Sequence, residues 1–149
     1  MDFDRLKHSY AFGKKMIQIG RELGLKETEL NNLFLLGLNH DIGYEFTENG
    51  VNHNKIGGNI LKNNGYKYWK EVYYHGDISD EYNSLYLTIL NQADMQIDKY
   101  GTYVGYDKRL ENIKNRYGEE SDIYLKCVNL VDRVREIKYE QIYFNNNNF

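Results

Sequence analysis

The chain has 149 residues, 41% of them hydrophobic, and a formal net charge of -3. That length suits one domain with a buried core, and the acidic balance argues against a nucleic acid polymer as partner, which needs a basic surface to displace counterions. There is no apolar run near the roughly 20 residues that span a bilayer, no signal-peptide pattern in Met1-Asp2-Phe3-Asp4, and one cysteine, Cys127, without an internal partner, so a cytoplasmic protein away from membranes is expected.

With no proline in the chain, nothing is forced to break a helix, and strand-type alternation is short everywhere. The expected fold is all-α, a compact single-domain bundle of about six or seven helices over residues 1–149. A first helix is expected from about Asp4 to Leu23, with Leu6, Phe12, Met16, Ile19 and Leu23 at helical spacing and Gly24 as its C-terminal cap. Thr28 is the expected N-cap of a second helix that carries Leu30, Leu33, Phe34 and Leu38 and ends at His40-Asp41. Apolar on more than one face, it reads as the central helix.

Residues 42–52 read as a loop, followed by a short helix from about Asn52 to Asn63 with His53 in its first turn. An aromatic stretch from Tyr66 to Tyr74 leads into His75-Gly76-Asp77. Ser79 is the expected N-cap of a long helix over about Asp80 to Ile97, with Asp94 late in it, and Asp98 to Asp107 read as a loop. A helix from about Lys108 to Tyr117 stops at Gly118, and Ser121 caps a last helix over about 121–138. Cys127 lies on the apolar stripe of that helix as a core filler. Residues 145–149, mostly asparagine, are expected to fray.

The four histidines, His8, His40, His53 and His75, each fall near a helix end or a helix-loop junction. Asp41 adjoins the second, and Asp94 follows on a long helix. Imidazole and carboxylate ligands without thiolate suit Fe, Mn, Co, Ni or Zn, with Mg less suited where imidazoles dominate. Two further carboxylates close in sequence to these residues, Asp77 and Asp98, are candidates for acid or base. Lys55, in the first turn of a helix whose N-terminal amides attract anions, and Arg109 and Arg116 are candidate phosphate-binding cations.

The order of these residues, with His8-Ser9-Tyr10, Gly37-Leu38-Asn39-His40-Asp41-Ile42-Gly43, His53-Asn54-Lys55-Ile56-Gly57-Gly58, Tyr74-His75-Gly76 and Gln92-Ala93-Asp94-Met95, resembles the HD-domain superfamily of metal-dependent phosphohydrolases over about His8 to Tyr117. The likeness is greatest to small single-domain bacterial members. The resemblance implies that His8, His40, Asp41 and Asp94 bind one metal ion. It also implies that His53 and His75 are the added histidines of two-metal members, with Asp41 as the bridge between ions, iron or manganese being favoured.

The activity so implied is hydrolysis of a small nucleotide or related phosphate ester by metal-activated water, with Asp41 orienting that water. A bound ion suits this reaction because it offsets the charge of the phosphoryl oxygens and lowers the pKa of water. The alternative is a non-catalytic metal-containing module that senses a nucleotide. Many two-metal members carry lysine directly after HD-I-G, where this chain has Tyr44. Tyr66, Tyr68, Trp69, Tyr73 and Tyr74 are expected in the core or at a homodimer contact.

Overall fold

A computed structural model describes residues 3–79 and 81–135. Among them are seven α-helices: α1 (Phe3–Glu22), α2 (Glu27–Asn39), α3 (His53–Asn63), α4 (Trp69–Tyr74), α5 (Leu85–Asp94), α6 (Gly105–Tyr117) and α7 (Asp122–Arg135). A 3-10 turn at Ile42–Phe46 follows α2. Only an isolated antiparallel bridge between Ile97 and Tyr103 has strand geometry among the described residues. The all-α expectation therefore holds. No helix among the described residues is long and apolar enough to cross a membrane.

Several expected boundaries are corrected. Thr28 does not cap α2: Lys26 holds the N-cap position, and its backbone N–H donates to the Glu29 carboxylate at 3.1 Å. Ser79 does not cap α5 either. That role belongs to Ser84, whose hydroxyl accepts from the Leu87 amide at 3.0 Å, so the helix starts at Leu85 and ends at Asp94. Ile97 lies beyond the helix yet is only 2% exposed; its apolar periodicity reports burial and not helix. Beyond the helix the Gln96 carbonyl accepts the amides of Val104 and Gly105, which turns the chain early and starts α6 at Gly105 instead of Lys108. Ser121 does cap α7, accepting from Tyr124 N. The expected helix start at Asp80, the helix end near 138 and the tail at 145–149 lie outside the described residues.

The core centres on α5, not α2. All its residues from Leu85 to Ala93 except Tyr86 are buried, whereas α2 leaves Leu35 half exposed and Leu6 of α1, expected inside, is also half exposed. Phe12 and Met16 of α1 and Leu33 and Leu36 of α2 fill one cluster with Ile89, Leu90 and Ala93 of α5, and Tyr66, Tyr68 and Trp69 pack against it. Met95 joins Leu130, Val131 and Val134 of α7 in a second cluster, where Cys127 packs as a partly buried side chain. Burial pushes its thiol pKa up, which suits a filler and not a nucleophile.

Glycine sets the closest helix approaches. A Cβ on Gly37 would lie 2.7 Å from Gly13 Cα, so α1 and α2 meet backbone to backbone. A Cβ on Gly58 would lie 2.6 Å from Tyr73 Cα, and one on Gly43 only 1.9 Å from the His53 carbonyl oxygen. These contacts bring the end of α2, the start of α3 and the end of α4 into one place. Gly37→Ala gains up to about 1 kcal/mol of helix propensity but overpacks a backbone contact at a cost of about 1–3 kcal/mol. A net loss of up to about 2 kcal/mol is expected in urea unfolding followed by circular dichroism; an unchanged or raised midpoint would contradict the packing described.

Candidate metal centre

The four imidazoles are placed by the ends of helices. His40 follows the last residue of α2, and its Nδ1 lies 2.6 Å from the Gly37 carbonyl oxygen three residues back. His75 does the same at the end of α4, 2.5 Å from the Val72 carbonyl oxygen. Each thereby satisfies a carbonyl that the last turn of a helix leaves without an amide of its own. His53, the first residue of α3, reaches the Gly50 carbonyl oxygen at 3.0 Å. His8 sits within α1, and its Nδ1 lies 2.7 Å from the carbonyl oxygen of Asp98.

A carbonyl only accepts, so each Nδ1 carries the proton and each Nε2 keeps a lone pair. All four Nε2 atoms face Asp41. Its Oδ2 lies 3.1 Å from His40 Nε2 and 3.5 Å from His8 Nε2, while its Oδ1 lies 3.4 Å from His53 Nε2 and 3.7 Å from His75 Nε2. Asp94 Oδ1 is 3.9 Å from His8 Nε2 and 4.0 Å from His40 Nε2. The structure thus gathers all six expected ligand residues: the four histidines divide two and two between the oxygens of Asp41, and Asp94 joins the His8 and His40 pair.

The residues fit a divalent cation. His40 is fully buried, packed at 3.7 Å on the Phe12 ring, and its Nε2 has no hydrogen-bond partner among the described residues. An orphaned buried nitrogen costs free energy unless something fills the place it faces. Ligand atoms roughly 2.1 Å from one ion at about right angles lie roughly 3 Å apart, and His53 Nε2 and His75 Nε2 are 3.2 Å apart. In both triads, His8 with His40 and Asp41, and Asp41 with His53 and His75, the ligand atoms all lie within 4.8 Å of one another.

Electrostatics support the same reading. Burial disfavours charge on Asp41, but the neighbouring His40 and then the His53 and His75 imidazoles outweigh it and hold its carboxyl well below the usual range. Burial also opposes charge on His40, yet the Asp41 and Asp94 carboxylates raise its pKa on balance. At His8 burial prevails, with the neighbouring His40 adding to it, and the pKa is lowered.

The acid/base candidates are placed differently from expectation. The Asp98 carboxylate accepts the amides of Tyr100 and Thr102, both at 2.9 Å, and so shapes its own loop. What Asp98 lends to the centre is its carbonyl. Asp77 accepts from Lys55 at 2.5 Å and Lys126 at 3.1 Å. Burial raises its pKa, but these two lysines outweigh that and lower it on balance, so it is ionised at neutral pH and unsuited to donate a proton. Lys55 is correspondingly tied to Asp77 and lies over the rings of Tyr73 and Tyr74. Arg109 donates from Nε to the Asp94 carbonyl oxygen at 3.2 Å. Arg116 is exposed beside Tyr117, away from these contacts.

Other residues at the centre carry no motif that would single them out. Asn91, buried on α5 one turn before Asp94, accepts the Gly76 amide at 2.9 Å and so ties the His75 turn to the helix that holds Asp94. Arg5, one turn before His8, lies over the ring of Tyr44, which is itself stacked on His53. The i, i+3 spacing of Arg5 to His8 and of Asn91 to Asp94 was the available signal, since it places each pair on one helix face.

An all-α fold that converges four imidazoles and two carboxylates on one partly buried point defines a class of metal-binding helical domains. A family model for the HD domain matches residues 5–136, and the chain belongs to the HD-domain family. Its members are in general metal-dependent hydrolases that bind divalent metals. Comparisons with curated proteins and with solved structures returned no match.

The Asp77 cluster makes a test of pH dependence. A carboxyl with a depressed folded pKa contributes stability that is present above its unfolded value of about 3.9 and lost as pH falls through the folded value. Wild type is therefore expected to exceed Asp77→Asn in stability by a constant amount above about pH 5, with the gap closing in more acid solution. Urea unfolding from pH 7 to pH 3 checks this; a gap that widens in acid would contradict it.

Proposed function

We propose that the chain is a metal-dependent phosphohydrolase or phosphodiesterase acting on a small nucleotide or related phosphate ester. The observation that carries the reading is the division of the four histidines, two and two, between the two oxygens of Asp41. That arrangement suits two ions bridged by one carboxylate, with His8, His40 and Asp94 on one side and His53 and His75 on the other. Iron or manganese is favoured, because imidazole and carboxylate together suit these ions.

When bound, such ions supply Lewis acidity, which offsets phosphoryl charge and makes water a nucleophile near neutral pH. The chain's own residues do the rest. The carbonyls of Asp98, Gly37, Gly50 and Val72 fix the imidazole tautomers, so no ligand nitrogen must shed a proton to act. Asp41, held ionised, carries the negative charge that the two sites share. Arg109 is positioned by its bond to Asp94 O to receive a phosphate oxygen. Lys55 is the weaker candidate for that role because Asp77 neutralises it.

A second reading, a nucleotide-sensing module that holds metal without turnover, is favoured by one observation. Both carboxylates expected to donate a proton, Asp77 and Asp98, are committed elsewhere. Thermal stabilisation by a nucleotide with no product over hours would mark that module.

Supplied with Mn or Fe, the protein is expected to hydrolyse p-nitrophenyl phosphate, bis(p-nitrophenyl) phosphate or members of a nucleotide panel. His40→Ala and Asp41→Ala are each expected to lower turnover by more than about 100-fold while the helical circular dichroism signal survives. Activity that persists in both variants would place the chemistry elsewhere, and no hydrolysis by the metal-loaded wild type would remove the enzymatic reading.

A further inference from the structure

A cleft of about 530 Å³ lies between the starts of α2, α4 and α5, a size within the range of small-molecule sites. It is not the metal centre. Glu29, in the first turn of α2, and Leu85, which begins α5, line it, whereas His40 and Asp94 stand at the far ends of those helices. At about 1.5 Å of rise per residue, roughly 13–16 Å of helix separates the cleft from those ligand residues.

The lining changes in chemistry from inside to outside. Glu71 is only 3% exposed, and so buried a carboxylate is costly unless hydrogen-bonded. Two hydroxyls meet it, Tyr82 at 2.7 Å and Ser84 at 3.0 Å, and both donate to the same oxygen, Oε2. Burial and this bond push the Tyr82 pKa up to about 12, so the phenol keeps the proton that it donates. A carboxylate has about four acceptor sites and can take further N–H donors beside these two bonds. The other carboxylate of the lining, Glu29, accepts the Lys26 amide in the cap of α2.

Around Glu71 stand the half-buried rings of Tyr68, Trp69, Tyr82 and Tyr86. Two exposed cations complete the mouth. Lys70 Nζ lies 5.8 Å from the Trp69 ring centroid and 5.5 Å from that of Tyr82, and Lys67 Nζ lies 5.5 Å from that of Tyr68. These distances are near the limit of about 6 Å for cation–π contact, so an anion at the mouth can recruit both ammonium groups. A buried acceptor selects N–H donors, aromatic walls select a flat ring, and ammonium groups at the rim select a phosphate. We propose that this cleft binds a nucleotide whose base carries an amino group, with the amino N–H donated to Glu71, the base against Trp69 and Tyr82, and the phosphate at Lys67 and Lys70. Binding here needs neither metal nor turnover, so the inference is independent of the hydrolytic reading.

Trp69 is the one tryptophan of the chain, and its fluorescence reports on this cleft. The test titrates the full chain with AMP, GMP, CMP and UMP, in wild type and in Asp41→Ala, whose metal centre is broken. AMP, GMP and CMP are expected to quench Trp69 with saturation, equally in both proteins. UMP is expected to bind about tenfold more weakly, the scale of one unpaired buried polar group, because its base turns carbonyls toward Glu71. Glu71→Gln keeps an acceptor for Tyr82 and Ser84 but adds an N–H donor, and is expected to narrow or reverse the preference over UMP. Lys70→Ala, an exposed change, is expected to lower GMP affinity about threefold or more and to weaken its salt dependence. Should Glu71→Gln unfold, the UMP comparison and Lys70→Ala decide the matter. No saturable quenching, equal binding of all four nucleotides, quenching lost in Asp41→Ala, or Lys70→Ala as tight as wild type would each overturn the proposal. Hydrolysis of nucleotides by metal-loaded protein whose Trp69 does not respond would remove this inference and leave the hydrolytic reading standing.

Discussion

Four bonds from imidazole Nδ1 atoms to main-chain carbonyls hold the rest of the site in place. At His40, His53 and His75 the carbonyl belongs to the residue three positions back, at a helix end or the turn before a helix. The chain there has carbonyls to satisfy in any case. A histidine at such a position completes the helix and points its other nitrogen away from it, so one bond serves the fold and leaves the second nitrogen available to a ligand. His8 differs, because within a helix no carbonyl is left over. Its partner is the Asp98 carbonyl, delivered by a loop so close that a Cβ on Gly101 would lie 2.7 Å from the Lys7 carbonyl oxygen.

From that constraint the packing follows. The helix ends that carry His40, His53 and His75 must meet, and they meet through residues without side chains: Gly43 against His53, Gly57 against Gly43, Gly58 against Tyr73. The buried helix α5 supplies the opposite wall with Asp94, and its Asn91 fastens the turn after His75. A buried imidazole such as His40, with an orphaned Nε2, is unfavourable unless a cation or proton meets it. Concentrating such groups is a local cost of the kind that functional sites carry.

Much of this was legible in the sequence. Absence of proline and the helical periodicities foretold the all-α architecture, and a chain with only four histidines leaves few ways to choose ligands. What chain order could not show was direction. Asp98 was in the right place, but sequence does not distinguish a residue that contributes its carboxylate from one that contributes its carbonyl. Asp77 reads as a free carboxylate until Lys126, 49 residues away, is brought beside it. Ser79 and Ser84 have identical capping chemistry, and only the docking of Glu71 against Tyr82 and Ser84 selects the second. Arg5 reads as an ordinary surface arginine of an amphipathic helix until the fold lays it on Tyr44.

Charge ties these parts together. Without cations the centre holds two carboxylates among imidazoles whose tautomers are already set, with positive groups such as Arg5 and Arg109 at its edge. Divalent ions would reverse the sign of the interior and leave a site suited to an anion. The most direct measurement is anomalous diffraction from crystals of the chain grown with Mn. The account predicts two peaks with Asp41 between them, one bordered by His8, His40 and Asp94 and the other by His53 and His75. A single peak that does not touch Asp41, or no peak at a fully ordered centre, would contradict it.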